Sequence, residues 1–270
     1  MTSLPGRLVL IGHPVSHSLS PTFQNAALRH AGLPLTYEAL DVPPGRLERA
    51  AAWLRTSNAA GNVTLPYKEA FLASCARLSP IAERVGAVNT FWCEDGALVG
   101  DNTDVGGFEE AIVRAFGSDR RWPRVALIGA GGAAAAVLAG AERWFGTEVR
   151  LWSRTAGRAE SLARRFARIC TTVPTVHDAL EGADLVVNAT PLGLAPDDAL
   201  PVPIQDLPPR AAVYDLVVRR GDTAWVRAAR GAGHPAADGL GMLVAQGALS
   251  FERWFGQAPD RDAMWSALRP

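Results

Sequence analysis

The 270-residue sequence predicts an α/β protein whose strands alternate with helices and whose domain changes after Asp104. Three observations carry that expectation. Short apolar runs, such as residues 7–12 and 124–128, read as buried strands, and helical patterns follow them. A glycine turn, Gly129-Ala-Gly-Gly-Ala-Ala134, lies between a strand pattern and an Ala-rich helix pattern. Polar clusters gather at predicted strand ends, where parallel α/β sheets place their ligands.

In order, strand 7–12 runs into the loop His13-Pro-Val-Ser-His-Ser-Leu-Ser-Pro21. Ser20-Pro21 there suits an N-cap and first helical position, and Ala31-Gly32 suits the helix end. Residues 35–42 read as a strand, Pro43-Pro-Gly45 as a turn and 46–56 as an amphipathic helix. The stretch Gly61-Asn-Val-Thr-Leu-Pro-Tyr-Lys-Glu69 reads as strand, turn and helix, with Pro66 opening the helix and Lys68 near its N-terminus. Asn62 and Thr64, two apart on a strand, share one face. Gly86-Ala-Val-Asn-Thr90 and the residues to Gly100, interrupted by Glu94-Asp-Gly96, read as a hairpin.

Four polar clusters emerge: Ser16/Ser18/Ser20, Asn62/Thr64/Lys68, Asn89/Thr90 and Asp101-Asn-Thr-Asp104. Capping and turn chemistry would explain any one of them, but four at strand ends suggest one small polar ligand. Lys68 is the single lysine among 27 Lys and Arg residues. Unlike the guanidinium of arginine, its ammonium can give up a proton, so it can serve as a general acid or base. His13 and His17 are separated by Pro14 in a loop, so their spacing predicts no metal site.

In the second half, residues 105–116 are helical, 117–123 a polar connection and 124–128 a strand. In the turn that follows, Gly129 allows the tight reversal and Gly131 lets the backbone approach a pyrophosphate. The small third position lets helix and strand pack closely, and the helix N-terminus favours phosphates. Strand 147–152 ends without an acid for ribose hydroxyls; Ser153-Arg-Thr-Ala-Gly-Arg158 follows it. Arg154 and Arg158, helped by Ser153 and Thr155, can hold a ribose 2′-phosphate, which predicts NADP. Charge-assisted bonds of roughly 1.5–3 kcal/mol each would favour NADP over NAD by an order of magnitude or more. Strand 184–188 ends in Asn188-Ala-Thr-Pro-Leu-Gly193, a turn able to face ribose or nicotinamide. Residues 194–209 form a Pro-rich loop, 211–218 a strand and 222–230 a helix broken by Gly231-Ala-Gly233. A long helix opens at Gly239, with Gln246 in an apolar stretch as either a core hydrogen-bonding residue or a ligand contact.

Bulk properties narrow the function. Hydrophobic residues are 48% and charged residues 20% of a chain with formal net charge zero. Nothing in this balance suggests a nucleic-acid surface or an anionic-membrane patch. Cys75, Cys93 and Cys170 match no metal or redox spacing and suit a reducing compartment. The longest apolar run is too short to span a membrane. With no signal-peptide pattern, the expected location is the cytoplasm. No heptad or exposed apolar stripe declares an oligomer, though a homodimer is compatible with the sequence.

These motifs together resemble the shikimate dehydrogenase family over essentially the whole chain. The matching stretches are Ser16-His-Ser-Leu-Ser-Pro21, Asn62-Val-Thr-Leu-Pro-Tyr-Lys68, Gly86-Ala-Val-Asn-Thr90 and Asn102-Thr-Asp104. Gly129-Ala-Gly-Gly132, Ser153-Arg-Thr155, Asn188-Ala-Thr190 and Gly239-Leu-Gly-Met-Leu-Val-Ala-Gln246 complete them. The resemblance implies an N-terminal α/β substrate-binding domain and a Rossmann-type NADP-binding domain, with the C-terminal helices returning to the first. The expected division is residues 1–104 and 238–270 against 105–237. It implies reversible NADPH-dependent reduction of 3-dehydroshikimate to shikimate. Lys68 and Asp104 would be the catalytic pair. Ser18 and Ser20 would hold the substrate carboxylate, and Asn62, Thr64, Asn89, Asp104 and Gln246 its hydroxyls. Cofactor contacts would come from Gly129, Ala130, Gly131, Gly132, Ala133, Ser153, Arg154, Thr155, Arg158, Asn188, Ala189, Thr190, Leu216, Gly239 and Met242.

Three departures stand out. Val218 occupies the position of a family tyrosine that contacts the carboxylate, Gln24 that of a histidine, and Ala135 that of an arginine near the glycine turn. Val218 keeps quinate or aminoshikimate open as the substrate. A non-catalytic NADPH-binding sensor is the alternative from another class, and the Lys68/Asp104 pair argues against it.

Overall fold

The computed structural model describes residues 4–195 and 197–269. The chain forms two compact units, Met1–Gly107 with Val244–Pro270, and Phe108–Leu243. In the first, β1 (Arg7–Gly12), α1 (Ser20–His30), β2 (Tyr37–Asp41), α2 (Leu47–Thr56) and β3 (Ala59–Val63) build two parallel strand pairs, β1 lying between β2 and β3. A 3-10 turn (Ala70–Ser74), β4 (Arg77–Leu78), α3 (Pro80–Val85), β5 (Thr90–Glu94) and β6 (Ala97–Asp101) follow. The strand order is β2-β1-β3-β5-β6-β4, and β5 is antiparallel to both its neighbours. This sheet is therefore mixed, because Asp95 and Gly96, at φ 52° and 73°, reverse the chain within two residues. Val9, Ile11, Leu54, Phe71, Phe91 and Leu98 form part of one buried cluster.

Two local expectations are corrected. Pro66 opens no α-helix, and Lys68 stands in a turn ahead of the 3-10 segment. The buried Tyr67 dictates this path: its N–H bonds Thr64 O at 2.9 Å and its hydroxyl bonds Val42 O at 2.6 Å. Ser20 is not an N-cap but the first residue of α1, buried, with Leu19 at the cap and no side chain closing it.

The chain enters the second unit within α4 (Asp104–Phe116). There β7 (Arg124–Ile128), α5 (Gly132–Ala141), β8 (Glu148–Trp152), α6 (Ala156–Arg165), β9 (Cys170–Thr172), α7 (Val176–Leu180) and β10 (Leu185–Asn188) alternate. β11 (Ala212–Asp215), α8 (Ala224–Gly231) and β12 (Ala236–Ala237) complete an all-parallel sheet of order β12-β11-β10-β7-β8-β9. The loop expected at 194–209 contains a 3-10 turn, Ile204–Asp206, flanked by the buried Val202 and Leu207.

α9 (Leu240–Phe255) carries the chain back, and α10 (Arg261–Leu268) packs along α1 in the first unit, with His30 paired to Asp260 at 3.2 Å. Within that unit α4 and α9 cross at Gly107: a Cβ there would lie 2.7 Å from Gln246 Cβ and 2.9 Å from its backbone nitrogen. Only glycine lets the helices approach this closely.

Candidate active site

Lys68 follows β3 and Asp104 opens α4. Lys68 Nζ donates to Asp104 Oδ2 at 2.6 Å. The side chains are 20% and 4% exposed, so the carboxylate is buried while the lysine side chain keeps part of its surface toward water. Asn102 fixes the start of α4: its Oδ1 accepts Asp104 N–H at 3.1 Å and its Nδ2 donates to Ala87 O at 2.8 Å.

Asp104 Oδ1 accepts from Asn89 Nδ2 at 2.9 Å. The Asn89 amide has one orientation, because its Oδ1 accepts the backbone N–H of Thr103 at 2.7 Å and only an oxygen can do so. Its Nδ2 therefore faces Asp104, with Thr103 Oγ1 at 3.0 Å and Gln246 Oε1 at 3.1 Å. Asn62 is oriented by the same logic. Its Nδ2 donates to Asn89 O at 3.0 Å and Ser250 Oγ at 2.8 Å, and its Oδ1 accepts the Tyr37 hydroxyl at 2.8 Å. Both amide hydrogens of Asn62 are engaged, and its oxygen keeps a second lone pair. Burial pushes the Tyr37 hydroxyl well above the usual tyrosine range, against an opposite pull from the Asn62 backbone, so Tyr37 keeps its hydrogen and donates it to Asn62 Oδ1.

Lys68, Asp104, Asn62, Asn89 and Gln246 thus form one hydrogen-bonded group. Thr64 directly follows β3, Ser18 lies in the loop after the neighbouring strand β1, and Ser20 starts α1. Ser18 Oγ accepts Ser20 N–H at 3.2 Å, and Thr64 packs its methyl over Gly12. The sequence reading missed Tyr37 and Ser250, and placed Thr103 only within the Asp101–Asp104 cluster, with no role of its own. Ser250 carried a usable signal, lying four residues after Gln246 on the same helix face. Tyr37 carried none.

In the second unit the strand order, not the strand direction, reverses between β7 and β10, the crevice where open α/β sheets bind ligands. Gly129, at φ 108°, lies against the turn after β10: a Cβ would be 2.8 Å from Ala189 C and O. The glycine turn leads into α5 at Gly132, whose first-turn N–H groups, including that of Ala133, have no intrahelical acceptor. Asn188 Oδ1 accepts Thr190 N–H at 2.9 Å, Asn188 O accepts Leu216 N–H at 2.9 Å, and a Cβ on Gly239 would lie 2.5 Å from Leu216 O. Met242 is buried in the first turn of α9. Ser153, Arg154, Thr155 and Arg158 follow β8. The two arginines are exposed, with no ion pair among the described residues. Orphan helix-start donors, a close-packed glycine turn and two free guanidiniums fit a dinucleotide bearing an extra phosphate.

Asp215, which the sequence reading also missed, underlies this crevice fully buried. Its Oδ1 accepts from Asn188 Nδ2 at 2.8 Å and Val217 N–H at 3.1 Å, and its Oδ2 from the Thr223 hydroxyl at 2.7 Å. Burial raises its carboxyl above the usual range, while these donors pull it back.

A reversal-point crevice suited to a phosphorylated dinucleotide, together with a lysine–aspartate pair among amides, defines a nicotinamide-dependent oxidoreductase. Residues 10–91 match the family model described as the shikimate dehydrogenase substrate binding domain, and residues 239–269 that of the shikimate 5′-dehydrogenase C-terminal domain. The shikimate dehydrogenase (NADP(+)) of Rubrobacter xylanophilus is 46% identical, the match covering 99% of this chain and 95% of the relative. The crystal structure of shikimate 5-dehydrogenase from Thermus thermophilus in complex with NADP(H) and shikimate aligns at TM-score 0.88 and 41% identity, over 99% of each chain. Quinate dehydrogenase from Corynebacterium glutamicum in complex with NAD aligns at 0.88 with 26% identity, over 98% of this chain and 99% of that one. The chain belongs to the shikimate dehydrogenase family and is an NADP-dependent oxidoreductase acting on a CH–OH group.

Proposed function

We propose that the chain catalyses reversible reduction of 3-dehydroshikimate to shikimate, with Lys68 and Asp104 as its proton-transfer pair. The 2.6 Å contact between them carries this reading. NADPH supplies a hydride to the ring carbonyl. Lys68 donates a proton to the developing alkoxide and stabilises its charge, and Asp104 aims the ammonium. Asn89 and Gln246 offer amide groups to ring hydroxyls, Asn62 its oxygen, and Thr64 its hydroxyl. Ser18 and Ser20 hold the carboxylate. Residues 1–104 and 238–270 serve the substrate and 105–237 the cofactor, whose 2′-phosphate Arg154 and Arg158 would hold.

Val218, half-buried just beyond β11, supports a second reading in which quinate is also accepted. Initial rates of NADPH or NADH formation from shikimate and from quinate, each with NADP and NAD, separate the two. Fast turnover of shikimate with NADP supports the main reading, and turnover confined to quinate overturns it. Lys68→Ala should lose turnover by orders of magnitude while keeping NADPH affinity; a variant as active as the parent removes Lys68 from the chemistry. No described helix is long and apolar enough to cross a membrane. The three free thiols suit the reducing cytoplasm.

A further inference from the structure

We infer that Ser250 and Tyr37 are positioning residues for the reaction, acting together through Asn62 to hold Asn89 against Asp104. This inference rests on the reading of Lys68 and Asp104 as the reacting pair.

Ser250 Oγ sits at a junction of three contacts. It accepts from Asn62 Nδ2 at 2.8 Å, lies 2.9 Å from Thr103 Oγ1, and donates to Gln246 O, one turn earlier on α9, at 2.9 Å. Thr103 Oγ1 touches the Asn89 amide, 3.2 Å from Oδ1 and 3.0 Å from Nδ2. One hydroxyl thus ties together residues far apart in sequence on β3, on the strand end before α4, and on α9. Tyr37 closes the other side by donating to Asn62 Oδ1, which leaves the Asn62 nitrogen no choice but Asn89 O and Ser250. All these groups are buried, so no bulk water is at hand to replace a lost partner.

The proton inventory decides how the layer acts. Asn89 Nδ2 has two hydrogens and three acceptors in reach: Asp104, Gln246 and Thr103. Gln246 O can only accept, so it takes the single Ser250 hydrogen; Thr103 then donates to Ser250 and turns its lone pairs toward Asn89 Nδ2, whose two hydrogens are shared among Asp104, Gln246 and Thr103. Removing the Ser250 hydroxyl takes away the acceptor of the Thr103 hydrogen, so Thr103 turns that hydrogen to Asn89 Oδ1 and re-partners the amide that faces Asp104. It also leaves an Asn62 N–H unpaired, which loosens Asn89 from beneath. Neither Ser250 nor Tyr37 needs to touch substrate.

Ser250→Ala, Tyr37→Phe and the double variant test this by steady-state kinetics with shikimate and NADP, with thermal midpoints measured in parallel. Each single variant should lose about five- to tenfold in kcat, the range expected for one net hydrogen bond, with KM for NADP unchanged. The double variant should lose little more than the worse single one, because both act through Asn62. Losses in the double variant that multiply would overturn the coupling. Lowered thermal midpoints with unaltered kcat would make both residues merely structural. If either variant fails to fold, the other alone must still show the kcat loss. Lys68→Ala serves as the control. If it keeps turnover, the reading of the pair has failed; if it is inactive while Ser250→Ala and Tyr37→Phe turn over normally, only this inference has failed.

Discussion

Asp104→Asn should disable the site without any change of shape, and the hydrogen-bond directions say why. Both partners of the Asp104 carboxylate are donors: Lys68 Nζ on Oδ2 and Asn89 Nδ2 on Oδ1. Asn89 cannot turn to offer its oxygen, because Thr103 N–H holds that oxygen at 2.7 Å. An asparagine at 104 has one oxygen and one NH2, so whichever way it lies, a donor meets a donor. The variant loses at least one charge-assisted bond of about 1.5–3 kcal/mol. At about 1.4 kcal/mol per tenfold, that alone is roughly one to two orders of magnitude in rate. Adding the lost orientation of the proton donor brings the expected kcat loss to about 10²–10³-fold. Stability should fall by about 2–3 kcal/mol, short of the ~3–5 for a fully buried broken pair, since Lys68 keeps contact with water. The assays are initial-rate NADPH formation from shikimate, NADPH binding by fluorescence, and urea unfolding. Turnover within tenfold of the parent, or NADPH binding lost in step with kcat, would refute the reasoning.

The buried carboxylate of the second unit should respond in the opposite way. At Asp215, Asn188 Nδ2 and Val217 N–H both meet Oδ1, while Oδ2 faces the Thr223 hydroxyl, which can accept as well as donate. Asparagine can therefore keep both Oδ1 bonds and donate to the Thr223 oxygen, which also accepts Val226 N–H, leaving the Thr223 hydrogen as the one group to be re-partnered. Burial raises the folded-state pKa of Asp215 above its unfolded value, so its stabilising contribution is present below about pH 4 and is lost as pH rises through the folded value. The urea midpoint of Asp215→Asn relative to the parent should rise with pH over that window and be equal or higher at neutral pH; a relative fall with pH contradicts the assignment. Arg154→Ala should raise KM for NADP about tenfold or more and leave NAD within about twofold, and an unchanged preference between them would separate Arg154 from the 2′-phosphate.

Much of the fold could be read in the sequence where local and tertiary demands agree. β1 and β7 occupy the apolar runs that predicted them, and Asp95-Gly96 turns the hairpin as its residues require. The Lys68 turn was misread because what shapes it is the burial of Tyr67 against Val42, a contact between separate strands' ends that no local pattern records. β9, α7 and β12 are too short to show a period. At the site, the polar residues themselves were legible, but their partners were not. Asn62 and Ser250 are 188 positions apart, and Asp215 reads as an ordinary strand end until its three donors are seen.

The solitary lysine also makes the protein an unusually simple spectroscopic object. Feeding isotope-labelled lysine during expression would place one reporter side chain in the molecule, and it would be the ammonium held by Asp104. Its nuclear resonance could be followed through cofactor binding, substrate binding and changes of acidity without a single substitution and without any overlapping signal. Few proteins allow the protonation of one chosen group to be watched in the unaltered chain.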